Sequence, residues 1–228
     1  MIEILIKSLK DIFDKKILFS SLIPIVISAI FWGIIFFLFH SAINSFFVYI
    51  VSHIPFFGSN NWLKNIGEAV GGVFIYYQLL IITSVMIVGI IADAIVDRVN
   101  EKYYHLNKKG FGSILGSILI SLKQNIIFIV LFIILLPTMF IPVLNIFVNI
   151  ILWMILIKKP LFYDSIAMYA TKSEFKLLKQ KKLQIMIISF ISALLFLVPI
   201  VGIFIYIFQL LIFTHFNMKH LKEIRYNE

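Results

Sequence analysis

The sequence has no cysteine, and long parts of it have no charged residue. The absence of cysteine excludes disulfides, thiolate metal sites and a cysteine nucleophile. Charged residues make up only 14% of the 228 positions, against about a quarter in soluble domains, and 61% are hydrophobic. Four blocks contain no Lys, Arg, Asp or Glu: 17–63, 69–92, 124–157 and 183–218. Blocks of this length exclude soluble globular, disordered and fibrous proteins, and they predict a single integral membrane domain over 1–228.

Acidic residues are also scarce, and the basic residues gather beside the apolar blocks. The chain has 20 Lys and Arg against 11 Asp and Glu, a formal net charge of +9. All the basic residues except Lys64 lie in 1–16, 98–123, 158–182 and 219–228. Because positive charge marks the cytoplasmic side, we expect a multi-pass inner-membrane protein with both termini in the cytoplasm. This scattered charge favours membrane lipids as partners and argues against nucleic acid.

The first half of the chain predicts one surface helix and two long membrane helices. Apolar residues recur at helical spacing in 1–16, so we expect an amphipathic helix on the inner membrane surface. The pattern then predicts long helices over 17–53 and 67–105, separated by turn residues that include Pro55 and Gly58. The first of these exceeds the ~30 Å hydrocarbon core and must tilt or project from it.

The second half predicts two helical hairpins broken by proline. The block 124–157 is interrupted by Pro137 and Pro142, and the block 183–218 is interrupted by Pro199. The resulting legs have 13 to 19 residues. At 1.5 Å per residue they reach only about 20–28 Å, less than a full crossing. We therefore expect two hemi-penetrating hairpins that enter from the cytoplasm and return to it.

The two hairpin apices resemble each other in sequence. Residues 140–147 and 197–204 share a pattern of apolar residues around one proline. One interpretation is a repeated re-entrant element that brings backbone dipoles to a substrate, as in transporters. The other is that proline only closes two tight turns. Both interpretations stay open at this point.

Two further segments, 111–123 and 160–182, are predicted to be surface helices that join the larger parts. The first contains Gly112 and Gly116, whose spacing permits close helix approach. The predicted fold is therefore all-α. It is a polytopic membrane helix bundle with two long transmembrane helices, two proline-broken hairpins and interfacial amphipathic helices.

Several short motifs occur in a characteristic order along nearly the whole chain. They are Leu22-Ile23-Pro24, Ile54-Pro55, Ala94 to Lys102, Phe111-Gly112, Trp153, Tyr163-Asp164 and Val198-Pro199-Ile200-Val201-Gly202. In this order the chain resembles the CysZ-type sulfate permease family, which is related to eukaryotic etoposide-induced membrane proteins. The resemblance implies a bundle of six membrane helices with two hemi-penetrating hairpins, a homo-oligomer, and sulfate uptake in bacteria.

The chain departs from that family at the anion-binding motif. In the family this motif is a Gly, an apolar residue and one or two Arg before the first long helix, but positions 16–19 hold Lys, Ile, Leu and Phe. Lys15 and Lys16 are the nearest cations and are candidate anion ligands. An ammonium attracts a divalent anion but lacks the planar two-pronged contact of arginine. The alternative role for this pair is binding to lipid phosphate.

Other candidate site residues lie in the hairpins and in the second long helix. Asn145 and Gly202 stand at the apices and are candidate substrate ligands, with interhelical hydrogen bonding as the alternative for Asn145. Asp93 and Asp97 lie four apart and are candidate proton carriers or members of ion pairs. His215 lacks neighbours of metal-binding type. The sequence has no nucleotide-binding loop or nucleophile elbow, so we predict no cofactor, no metal and no catalytic residue.

These features predict a permease or channel for a small inorganic anion, with sulfate the first candidate, and no enzymatic activity. The basic cytoplasmic rim would raise the local anion concentration, and the apices would supply backbone N–H groups as ligands. The alternative is a non-transporting membrane scaffold or interaction protein of the same fold. The missing arginines favour this alternative over a sulfate-specific protein.

Overall fold

The chain is built from α-helices. The computed structural model describes residues 2–39, 41–43, 45, 49, 61–197 and 199–226, and these contain no strand, which confirms the all-α class. The helices whose bounds are defined are α1 (Ile2–Ile12), α2 (Lys15–Leu38), α3 (Asn61–Val99), α4 (Ile114–Leu135), α5 (Pro142–Asp164), α6 (Lys172–Gln180), α7 (Lys182–Leu194) and α8 (Pro199–Tyr226).

Four segments among the described residues are long and apolar enough to cross a membrane. They are Lys15–Leu38, Tyr76–Tyr104, Ile114–Thr138 and Val143–Asp164. Large apolar side chains on these helices stay uncovered by protein, for example Phe37, Ile134 and Phe147. Apolar surface of this extent is stable only against lipid. The chain is a multi-pass membrane protein.

The helices form two compact units. One contains Met1–Ile23 and Val85–Glu228, and the other contains Pro24–Ser84. In the second unit, the parts of α2 and α3 pack antiparallel, because a residue later in α2 contacts a residue earlier in α3. Side-chain hydrogen bonds join Ser28 to Ser84 at 3.3 Å and Trp32 to Thr83 at 2.8 Å. The predicted outer turn at 54–61 and the end of the predicted helix 17–53 lie mostly outside the described residues.

The proline breaks of the larger unit fall where the sequence predicts them. A 3₁₀ turn over Leu136–Phe140 contains Pro137, and α5 begins at Pro142. Likewise α8 begins at Pro199, after a 3₁₀ turn over Leu195–Leu197. Proline suits a first helical position because its missing N–H has no acceptor to satisfy there. The positions of both breaks are confirmed.

The legs of the first hairpin are longer than the charge-free count indicates. Helix α4 has 22 residues and α5 has 23, whereas the charge-free legs on either side of the proline break have 13 and 15 residues. At 1.5 Å per residue both helices reach about 33 Å. The extra length comes mainly from segments 114–123 and 158–164. Residues 114–123 and 160–164 therefore continue α4 and α5 and are not separate surface helices. Partial penetration of the bilayer by the hairpins stays a prediction.

Helix α1 is attached to the protein along one side. Ile4, Ser8 and Asp11 are buried, and α1 packs on α8. Its exposed residues include both the apolar Ile2 and the charged Lys10. A helix that exposes apolar and charged side chains together suits a position at the membrane surface.

Candidate functional site

A basic cluster, defined here as Lys15, Lys16 and Arg98, lies at the beginning of α2. Lys15 and Lys16 are the first two residues of α2, and both are exposed. Asp14 caps this helix, since its carboxylate accepts the Lys16 backbone N–H at 3.0 Å. Arg98, at the end of α3, lies 3.6 Å from the other oxygen of Asp14 and is 44% exposed. The fold thus adds a guanidinium to the lysine pair.

The residues predicted at the apices make local contacts. Asn145 lies in the first turn of α5, where its side-chain oxygen and its backbone carbonyl both accept from the Asn149 amide. Gly202 lies within α8, but its surroundings are outside the described residues. Within the described residues, no hydrogen bond joins Lys15 or Lys16 to Asn145. Anion binding by Lys15, Lys16, Asn145 and Gly202 stays a prediction.

The two aspartates of α3 have different surroundings. Asp97 accepts a 2.6 Å hydrogen bond from Lys108 and another of 2.6 Å from the Tyr169 hydroxyl. Asp93, one turn earlier, lines a small cavity together with Asp164 of α5. Asp97 is thus held by a cation and a hydroxyl, whereas Asp93 faces a second carboxylate.

The carboxylate of Asp164 is buried, and only one of its two oxygens has a hydrogen-bond donor among the described residues. Its side chain is buried, with 5% of its surface exposed. One oxygen accepts a 2.5 Å hydrogen bond from Ser117 of α4. The other oxygen, Oδ2, has no hydrogen-bond partner among the described residues. A buried carboxylate oxygen without a partner is costly, so it requires a physical explanation.

Asp164 borders a cavity of about 10 Å³, called here the Asp164 cavity. Its oxygen-bearing lining residues are Asp93, Ser113, Ser117, Tyr163 and Asp164. Such a volume has room for about one water-sized particle. The cavity lies where α3, α4 and α5 meet.

Glycines allow these three helices to approach so closely. A Cβ atom at Gly89 of α3 would lie only 2.3 Å from the Ser117 hydroxyl and 3.4 Å from Asp164 Oδ2. A Cβ at Gly112 would lie 2.7 Å from the backbone of Ala167, and one at Gly116 would lie 2.3 Å from the Tyr163 hydroxyl. The close approach predicted from the spacing of Gly112 and Gly116 is confirmed.

Buried polar groups also occur on α4, α7 and α8. Oxygen atoms of Ser121, Ser192, Tyr206, Gln209 and Asn217 are buried and have no hydrogen-bond partner among the described residues. These five residues are called here the polar set. Asn217 also donates to Ser165, next to Asp164, at 2.7 Å. In native proteins such atoms commonly bind ordered water or a ligand.

A second buried network ties α1 to α8. Asp11 is 1% exposed, and its carboxylate lies 2.9 Å from the Nε2 atom of His215, which is fully buried. Lys102 and Tyr103 donate to the other carboxylate oxygen at 2.7 and 2.8 Å. The hydroxyl of Tyr104 lies 2.9 Å from His215 Nδ1. This network joins α1 to α8 and to the π-helical turn Asn100–Tyr104 that follows α3.

Two opposing effects act on the pKa of Asp11. Burial alone would raise it, but hydrogen bonds from His215, Lys102 and Tyr103 more than offset burial and hold the pKa of Asp11 below its ordinary value. Asp11 is therefore ionised at neutral pH, with Lys102 as its cationic neighbour.

Sequence comparison identifies the family. The profile described as "Sulfate transporter CysZ/Etoposide-induced protein 2.4" matches residues 4–206. The chain belongs to this family. No curated protein and no solved structure matches it significantly. The match covers nearly the whole chain, so the recognition made from the motifs is confirmed, and the family description is consistent with a transporter.

Sequence reasoning missed the residues that the fold buries. Asp164 lies in the segment 160–182, which the sequence predicts to be a surface helix, so no pattern there indicates its burial. His215 was dismissed because no metal ligand is near it in sequence, yet its partner Asp11 is 204 residues away. The one available signal was the repeat of Gly and Ser at 112–117, which marked the helix surface that meets Asp164.

Proposed function

We propose that the chain is a permease or channel for a small inorganic anion, with sulfate as the first solute to test. Membership of a transporter family supports this class. The observation that carries the proposal is the polar set, because the hydroxyls of Ser121, Ser192 and Tyr206, unpaired among the described residues, can donate hydrogen bonds to an oxyanion. Helical membrane proteins otherwise fill such positions with apolar side chains or paired polar groups.

The basic cluster is the proposed point of anion capture. Lys15 and Lys16 supply two ammonium groups, and Arg98 supplies a planar guanidinium that is 44% exposed. Arginine binds oxyanions through two parallel N–H groups, which lysine does not provide. Arg98 would thus replace, from another helix, the arginine that is missing before α2.

The distribution of charge supports a location and an orientation. We propose a bacterial inner-membrane protein with both termini in the cytoplasm, because the basic segments follow the positive-inside pattern. A homo-oligomer is part of the same proposal and rests on the family resemblance. Among the candidate proton carriers, Asp93 keeps this role in the proposal, since Asp97 is bound by Lys108 and Tyr169.

The experiment is radiolabelled sulfate uptake into liposomes that contain the purified protein. Saturable uptake above that of empty liposomes is expected, with a severalfold loss of rate in the Lys15→Ala/Lys16→Ala variant and in Arg98→Lys. The matched control is Lys172→Ala/Lys176→Ala, which removes two exposed lysines of α6 and should leave uptake unchanged.

The polar set is tested in the same assay. Tyr206→Phe removes one buried hydroxyl without changing the ring, and it should slow uptake while leaving the unfolding temperature nearly unchanged. Absence of uptake by folded, correctly inserted protein would exclude sulfate. If other small anions also fail, the scaffold function takes its place.

A further inference from the structure

The Asp164 cavity has a one-sided charge. Its lining contains two carboxylates, Asp93 and Asp164, and the hydroxyls of Ser113, Ser117 and Tyr163. No Lys, Arg or His lines it among the described residues. The cavity is therefore a small space with carboxylate and hydroxyl groups in its lining and no cation among its lining residues. Lys108, which lies outside the lining and pairs with Asp97, acts on Asp93 from a distance.

Asp164 lacks the partner that its burial demands. Ser117 donates a hydrogen bond to one of its oxygens. The other oxygen, Oδ2, has no donor among the described residues, although the side chain is buried and only 5% exposed. The ionisable groups that face it are Asp93 of α3 and Tyr206 of α8, with Tyr163 beside it in the lining. None of these groups supplies a positive charge. A buried carboxylate is retained when a cation or a proton neutralises it.

The ligand types select the kind of cation. Carboxylate and hydroxyl oxygens are hard ligands that suit Na⁺, Mg²⁺ and Ca²⁺ and do not suit zinc or copper. Ca²⁺ takes about six to eight oxygen ligands and Mg²⁺ usually keeps several bound waters, and a cavity of about 10 Å³ has no room for them. The described residues contain no group of three or more His, Cys, Asp or Glu that could hold a metal ion. The volume of about 10 Å³ admits one small particle.

We propose that the Asp164 cavity binds a small monovalent cation, for which Na⁺ is the probe. The cation would contact Asp164 Oδ2 and would join α3 to α4 and α5. Binding at this position would make the transporter sensitive to sodium, whatever solute it carries. The inference goes beyond the proposed function and does not rest on sulfate.

The test measures binding without any transported solute. Unfolding of the purified protein in detergent is followed in NaCl and in choline chloride at equal ionic strength, and at two pH values. The unfolding temperature of the wild type should rise saturably with Na⁺, by about 5–10 °C at a hundredfold excess over Kd. In Asp164→Asn the dependence on Na⁺ should disappear. This variant should unfold no lower than the wild type in choline chloride, because it removes an unpaired buried charge.

A matched control lies on the same helix as Asp93. Asp97→Asn removes an aspartate that does not line the cavity, so this variant should keep the Na⁺ dependence of the wild type. If Asp164→Asn does not fold, binding of ²²Na⁺ to the wild type and to Asp93→Asn decides the question, with weaker binding expected in the variant.

Two results would overturn the inference. One is an unfolding temperature of the wild type that is the same in NaCl and choline chloride, together with no bound ²²Na⁺. The other is an unfolding temperature that follows pH and ignores Na⁺, which would identify Asp164 as a proton site. Neither result bears on the uptake of sulfate, so failure of this inference is distinguishable from failure of the proposed function.

Discussion

Substitution of Asp11 by alanine should weaken the attachment of α1 more than any exposed change in this helix. The substitution removes the acceptor of His215, Lys102 and Tyr103 together. Loss of one partner of a buried charge pair typically costs 3–5 kcal/mol. Lys102 is 43% exposed and can turn to water, whereas the His215 ring is fully buried and cannot. We therefore expect the low end of this range, about 3 kcal/mol.

Thermal unfolding in detergent, followed by intrinsic fluorescence, measures this effect. For a chain of this size, about 3 kcal/mol lowers the unfolding temperature by about 6–12 °C. Glu3→Ala is the control on the same helix, because Glu3 is exposed and pairs with exposed lysines. It should change the unfolding temperature far less. Equal effects of Asp11→Ala and Glu3→Ala would refute the argument that burial sets the cost.

Acidification provides an independent check of the same network. The pKa of Asp11 is lowered in the folded protein, so its contribution to stability is complete above the ordinary carboxyl pKa of about 3.9. The contribution is lost as the pH falls from there through the lowered pKa. The difference in stability between the wild type and Asp11→Asn should therefore shrink below about pH 4. If the stability difference between the wild type and Asp11→Asn does not change as the pH falls below about 4, Asp11 is not ionised in the folded protein.

Two further predictions concern packing and ion pairing. Gly89→Ala places a Cβ 2.3 Å from the Ser117 hydroxyl and should lower the free energy of unfolding by about 1–3 kcal/mol. The control is Gly33→Ala, whose Cβ meets no atom within 4 Å and should be neutral or slightly stabilising. Chemical denaturation measures both variants. Arg225→Lys loses the two-pronged contact with Glu174 at 2.7 and 3.2 Å and should lower the free energy of unfolding by about 1–2 kcal/mol. The same denaturation measures this change, and an unchanged midpoint would show that a point charge suffices at this position.

Much of the secondary structure follows from the sequence alone, because its causes are local. A chain in lipid must satisfy its backbone hydrogen bonds within each segment, so charge-free blocks become helices. Proline has no backbone N–H and suits the first position of a helix, and Pro142 and Pro199 accordingly begin α5 and α8. The lengths of α4 and α5 were underestimated because a charge does not end a helix. Lys123 lies inside α4, and Lys158 and Lys159 lie inside α5.

The candidate site was less predictable for a different reason. Asp93 and Asp97 look equivalent in sequence, but the fold gives Lys108 and Tyr169 to one and Asp164 to the other. Arg98 reads as a flanking charge in sequence, and the fold places it beside the cap of α2. Such assignments depend on which helices meet, and no periodicity in one segment encodes its neighbour.

The sequence by itself determined that this is a multi-pass, all-helical membrane protein of the family described above. Hydropathy, proline positions and the order of short motifs suffice for that, since each acts within one segment or along the chain. The tertiary structure alone decided which polar groups are buried, which of them have partners, and that Asp164 has an oxygen without one. The partners of a buried group come from distant parts of the chain, as Asp11 and His215 do, so only the folded arrangement of helices selects them.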